Sequence, residues 1–184
     1  MYQISSSLLP QIQIDQVTEF QNEDDLHALC EALDAYILGG GYYKWIKNPP
    51  PRHLMENYLR GVLLVPEKIL FIARLDGNIV GSCELKLPRK EKNSPHIGAF
   101  IDLFGIAPYA RNVGVEALML TKAEQTITQA GYPIVNIVID ETQQFNFDFY
   151  LQKGYIHWAT HPYYRRIEGQ IVKGLFLYKS FLNS

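Results

Sequence analysis

Six residues between an apolar run and a helical pattern, Arg111-Asn112-Val113-Gly114-Val115-Glu116, have the layout of an anion cradle. A strand, a tight turn and a helix N-terminus aim backbone N–H groups and the positive end of a helix dipole at one point, which suits a phosphate. Gly114 supplies close approach, and the N–H groups of Val113 to Glu116 donate whatever their side chains are. Asn112 tolerates left-handed backbone and can cap the helix beside it. Glu116 opposes the cradle. A carboxylate about 6 Å from a phosphate charge costs roughly 0.7 to 3 kcal/mol, which weakens binding without abolishing it. Turned toward Arg111, the same carboxylate costs little and favours the helix dipole. Three further groups offer acid–base chemistry: the carboxylates of Asp102 and Glu84 and the phenol of Tyr150.

The bulk of the chain limits what these groups can serve. Its 184 residues hold one sizeable core with no Pro/Gly/Ser-rich linker, so residues 1–184 are expected to form a single domain. Lys and Arg number 17 against 19 Asp and Glu, a net charge of -2, so no nucleic-acid partner is expected. The charged stretch "PRKEKNSP" reads as a solvated loop. Cys30 and Cys83 have no CxxC or histidine at ligand spacing, which points to two buried free thiols and no metal. No run has the length of a membrane span and the N-terminus lacks a leader pattern, so a cytoplasmic protein without membrane contact is expected.

The elements that must position the chemistry follow from periodicity. Ile12, Ile14 and Val17 alternate as a short strand does, and from Asn22 the residues Leu26, Leu29, Cys30, Leu33 and Ile37 recur at helical spacing before Gly39 to Gly41. "YYKWIKNPPP" reads as a loop, and residues 52–64 as a second helix ending before Pro66. Strands at 68–75 and 79–87 flank Asp76-Gly77, a pair that permits positive φ in a hairpin turn. A strand at 96–106, a helix at 114–129 with Val115, Leu118, Met119, Ala123 and Ile127 on one face, and the apolar run "YPIVNIVID" form a parallel βαβ unit. A short aromatic helix at 144–152 and two strands around Glu168-Gly169 close the chain. The expected fold is a mixed α/β, mostly antiparallel sheet with that central parallel unit and flanking helices.

This order, from about Asn22 onward, resembles the GNAT superfamily of acyl-CoA-dependent N-acetyltransferases, most strongly from Phe100 to Tyr155. Arg111 and Gly114 match the family's Arg/Gln-x-x-Gly-x-Gly/Ala loop, which takes the pyrophosphate of coenzyme A; Asn112 and Glu116 depart from it. "FYLQKGY", Phe149 to Tyr155, is similar to the family's Phe-Tyr-x-x-x-Gly-Phe segment. The resemblance implies acetyl-CoA as co-substrate, held by Arg111, Asn112, Val113, Gly114, Val115 and Glu116, with backbone groups of Phe104 and Ile106 on the pantetheine arm. It puts Gln143 at a place where Asn commonly touches the cofactor, and Tyr150 on the tyrosine that often protonates the departing thiolate. Tyr150 as plain aromatic core is the alternative.

An amine acceptor must lose a proton, at a cost of about 4.6 kcal/mol at pH 7 from a pKa of about 10.4. Asp102, placed by alternation on the face of Phe100 and Phe104, is the candidate base, with a structural carboxylate as the alternative. Glu84 is the rival base, although its alternation with Val80, Ser82 and Lys86 also fits a solvent-facing residue. By resemblance the first two helices and the last hairpin cover the acceptor, bringing Tyr42, Tyr43, Trp45 and the segment His161 to Arg166 near it. The reading is transfer of acetyl from acetyl-CoA to a primary amine of a small molecule or peptide, by direct attack in a ternary complex. The alternative is a non-catalytic module that binds an acyl-CoA or a protein partner. The C-terminal "GLFLYKSF" fits either a core strand or the seam of a homodimer.

Overall fold

Polar caps and glycines set the element ends in the computed structural model, which describes residues 9–89 and 95–182. Most of "PRKEKNSP" therefore lies outside the described residues, as does the start of the N-terminal segment. Helix α1 (Glu23–Leu38) starts where the Asn22 side chain accepts the Asp25 N–H, has three acids in its first turn, and ends at Gly39. Its expected face of Leu26, Leu29, Cys30, Leu33 and Ile37 is fully buried.

Strand β1 (Ile12–Val17) precedes α1. The stretch expected to be a loop instead holds a two-rung hairpin, β2 (Tyr42–Tyr43) and β3 (Trp45–Ile46), turning at Lys44 with φ of 61°. Helix α2 (Arg52–Leu63) leads to β4 (Lys68–Leu75) and β5 (Asn78–Lys86). Asp76 and Gly77, at φ of 50° and 83°, make the turn that the sequence pair favours. Then come β6 (Gly98–Ile106), α3 (Val115–Gln129), β7 (Ile134–Asp140), α4 (Gln144–Gln152), β8 (Ile156–Ile167) and β9 (Gln170–Ser180).

The main sheet has the order β1-β4-β5-β6-β7-β9-β8, and every pairing is antiparallel except β6 with β7. Helices cover both faces. Leu29, Leu33, Met55 and Leu59 of α1 and α2 pack with Leu70, Ile72 and Leu103 on one side. Met119, Ala123 and Ile127 of α3 pack with Phe71, Leu85, Ile101 and Ile137 on the other. Leu118 departs from its expected place and is exposed. Strand β9 lies between β7 and β8, so the apolar C-terminal run is an interior strand and β8 is the edge.

Two irregularities in β6 shape the sheet at its centre. Parallel pairing with β7 runs from Gly98↔Ile134 to Ile101↔Ile137 and then stops, so the two strands diverge into a wedge. On its other side, Glu84 faces Leu103 and Leu85 faces Ile101, leaving Asp102 as an extra residue in a β-bulge. The bulge inverts the alternation. Ile101 and Phe104 consequently share the α3 core, while Leu103 belongs to the α1 core. Asp102 and Phe104 are therefore not on one face, contrary to simple period-two alternation. Beyond the bulge, the Tyr36 ring of α1 presses on β6 where a Cβ on Gly105 would stand 2.8 Å from it.

Candidate functional site

The sheet first places Glu84, and it excludes the solvent-facing alternative for it. Its side chain is fully buried, because α1 and α2 roof the face that alternation alone would give to solvent. There it accepts hydrogen bonds from the Tyr43 hydroxyl at 2.8 Å, the Tyr58 hydroxyl at 2.7 Å and Lys68 Nζ at 3.1 Å. Lys68 Nζ also donates to Asp102 at 3.1 Å, so one ammonium joins the two candidate bases. Burial opposes charge on Lys68, but Glu84 and Asp102 outweigh it and raise its pKa above the ordinary 10.5. Burial, with Glu84 beside them, pushes the Tyr43 and Tyr58 phenols well above 10.0. Of the two carboxylates, only Asp102 reaches solvent, its side chain 35% exposed.

Asp102 opens onto a cavity of about 290 Å³ lined by Tyr42, Lys44, Lys86, Phe100, Tyr164 and Arg165 among others. This outer cavity shares Tyr42, Ile101, Asp102, Leu103 and Val138 with the wedge between β6 and β7, which Phe104, Gln143, Asn146 and Tyr150 also line. Gln143 and Asn146 in turn line a third cavity, bounded by Tyr36, Gly39 to Gly41, Arg111 and Phe145. The three form one line from Arg111 to Asp102. Tyr164 and Arg165 are the members of the 161–166 segment that reach it; Tyr43 is instead committed to Glu84, and Trp45 packs edge-on against Tyr58 at 5.6 Å.

A polar chain that the sequence did not reveal holds the mouth of the wedge. Buried Asp140, at the end of β7, accepts from the Thr142 N–H at 3.1 Å and Gln143 Nε2 at 3.2 Å, and lies 3.3 Å from Arg165. Gln143 Oε1 accepts from Asn146, which also donates to the Tyr36 hydroxyl at 3.0 Å. Gln143 thus lines the wedge with its amide already engaged at both ends. Tyr150 is fully buried against Phe104, Phe149 and Tyr155. Burial raises its phenol well above 10.0, with Cys83 and Tyr36 adding to the shift.

At the far end, Gly114 is the residue before α3 and sits at φ of 100°, while Asn112 takes the left-handed conformation at 64°. Asn112 does not cap the helix; Gly114 occupies that position without a side-chain bond. Glu116 turns neither to Arg111 nor outward. Its buried carboxylate folds back onto the Asn112 N–H at 3.3 Å. Arg111 makes no ion pair among the described residues, and its guanidinium stacks on Phe145 at 4.6 Å and lies 5.7 Å from Tyr36.

A model of the acetyltransferase (GNAT) family matches residues 18–155. The chain belongs to this family. A relative from Azospirillum brasilense, described as an uncharacterized N-acetyltransferase in the hisH-hisA intergenic region, is 38% identical over 120 residues, covering 65% of this chain and 71% of its own. The GNAT fold is shared with the ribosomal-protein-alanine N-acetyltransferase of Brucella melitensis, at a TM-score of 0.71 and 15% identity over 91% of this chain and 99% of that one. It is shared too with yncA of Salmonella typhimurium, solved with its cofactor acetyl-CoA, at 0.70 and 12% over 94% and 95%. Both buried cysteines are free, as the sequence implied. No helix among the described residues is long and apolar enough to cross a membrane, and no three His, Cys, Asp or Glu among them are gathered as a metal would need.

Proposed function

We propose that this GNAT chain transfers acetyl from acetyl-CoA to a primary amine, with the cofactor laid from the Arg111 cavity into the wedge and the acceptor in the outer cavity. The observation that carries the reading is the continuity of these cavities: Arg111 lines the cavity at one end, Tyr150 the middle one and Asp102 the one at the other end. The unbound guanidinium of Arg111 and the N–H groups of Val113 to Glu116 take the pyrophosphate. Unpaired backbone of β6 beyond Ile101, including Phe104 and Ile106, takes the amides of the pantetheine arm.

Asp102 removes a proton from the ammonium of the acceptor, and the freed nitrogen attacks the thioester carbonyl. As the C–S bond breaks, the thiolate takes the Tyr150 proton, and the nitrogen's second proton restores Tyr150. Products are the amide, free coenzyme A and one proton held by Asp102. Lys68 and buried Glu84 position Asp102 and do not meet the acceptor themselves. Calorimetric titration with acetyl-CoA, followed by thiol release over an amine panel, tests the proposal. Micromolar binding with turnover supports it; no binding at millimolar cofactor overturns it in favour of a non-catalytic module.

Glu116 gives a finer test, because its two effects have opposite signs. Glu116→Ala frees the Asn112 N–H and removes a negative charge beside the pyrophosphate, so acetyl-CoA binds several-fold to about a hundredfold tighter. The same change removes a first-turn acid and lowers stability by about 0.5 to 1 kcal/mol. Titration and thermal melting of the variant read the two separately. Unchanged affinity would place the pyrophosphate away from Glu116.

A further inference from the structure

The outer cavity has an imbalance of charge that neither Asp102 nor the cofactor explains. Among the described residues three cations line it, Lys44, Lys86 and Arg165, against one carboxylate, that of Asp102. Asp102 is paired with Lys68, and Arg165 is clamped between Asp140 at 3.3 Å and the Tyr42 and Tyr164 rings at 4.0 and 4.6 Å. That leaves the two ammonium groups. Lys86 makes no ion pair among the described residues, and Lys44 has only the face of Tyr58, 5.6 Å away. Lys44 is held at the tip of the β2–β3 hairpin in a left-handed conformation that lysine seldom adopts. Lys86 ends β5 opposite Phe100, which lines the same cavity.

We propose that the acceptor is a small amine carrying an acidic group near its nitrogen, a carboxylate or phosphonate, and that Lys44 and Lys86 hold that group while the amine meets Asp102. The inference rests on the acetyltransferase reading for the fate of the amine. A polyamine brings further positive charge against both lysines and is disfavoured; a zwitterion matches both signs. The phosphates of the cofactor are not the intended anion, since their cradle lies at the other end of the wedge. A cavity of about 290 Å³ suits a molecule of amino-acid size.

The test compares L-amino acids and aminoalkyl phosphonates with their methyl esters and with straight diamines, by kcat/KM and by direct calorimetric binding. At least one acid is expected to exceed its ester about tenfold or more, and diamines are expected to be poorer still. Lys86→Glu and Lys44→Glu, both changes at exposed positions, should each shrink or invert the acid-over-ester ratio. Esters or diamines performing as well as every acid would overturn the proposal, as would ratios untouched by both charge reversals. If acetyl-CoA does not bind, the acetyltransferase reading fails alone, and the acid-over-ester ratio in direct binding still decides this one.

Discussion

Tyr150→Phe is expected to lower kcat about a hundredfold or more while leaving the Kd for acetyl-CoA nearly unchanged. The phenyl ring keeps the contacts with Phe104, Phe149 and Tyr155 that bury this side chain, so a melting curve close to that of the parent should accompany the loss. Only the donor is removed. Because burial raises the phenol well above 10.0, the proton stays in place through the whole neutral and mildly alkaline range. A kcat profile for the parent should therefore show no descending limb from loss of this proton up to about pH 10. Full turnover by Tyr150→Phe would return the residue to the aromatic core and leave the thiolate to be protonated by water.

The second large effect is on stability. Glu84→Ala is expected to cost about 2 to 4 kcal/mol, because it leaves the Lys68 ammonium with Asp102 as its one remaining carboxylate and two phenols without their acceptor. Urea denaturation measures it, and a loss below about 1 kcal/mol would mean that the cluster is solvated rather than buried. The same cluster fixes a pH limit. Tyr43, Tyr58 and Lys68 all have folded pKa values raised above their ordinary ones, so the folded state holds protons that the unfolded chain releases. Their contribution is complete below about pH 10 and is lost as pH rises through the folded values.

Local chemistry was legible in the sequence wherever one strand or helix decides its own ends. The limits of β4 and α4, the Asp76-Gly77 and Glu168-Gly169 turns, the buried stripe of α1 and the left-handed Asn112 all follow from adjacent residues. Family membership followed from two short segments in the right order. What stayed hidden depends on a third dimension. Alternation left Glu84 open between a base and a solvent-facing residue because it cannot say whether a helix roofs the face. The extra residue at Asp102 leaves no mark in composition, yet it reverses which neighbours share its side. Lys68 read as an ordinary strand start, and Asn146 as one polar residue in an aromatic helix; each acquires a role only through partners distant in sequence. Lys68 lies diagonally across from Glu84 on the neighbouring strand, beside the Leu70–Glu84 pair, and that relation needed the register to be seen.

The early end of pairing between β6 and β7 gives this sheet a free edge in its interior. An open row of backbone donors and acceptors normally invites another polypeptide, and proteins shorten, charge or cover such rows to prevent aggregation. Here the row is guarded by its position, with Tyr42, Gln143 and Asn146 lining the gap and Tyr150 at its floor. A second chain, with side chains alternating to both faces, has no room to dock there. Under the proposed function, the unpaired row is met by the amides of the pantetheine arm, which supply the hydrogen bonds of a strand without its width.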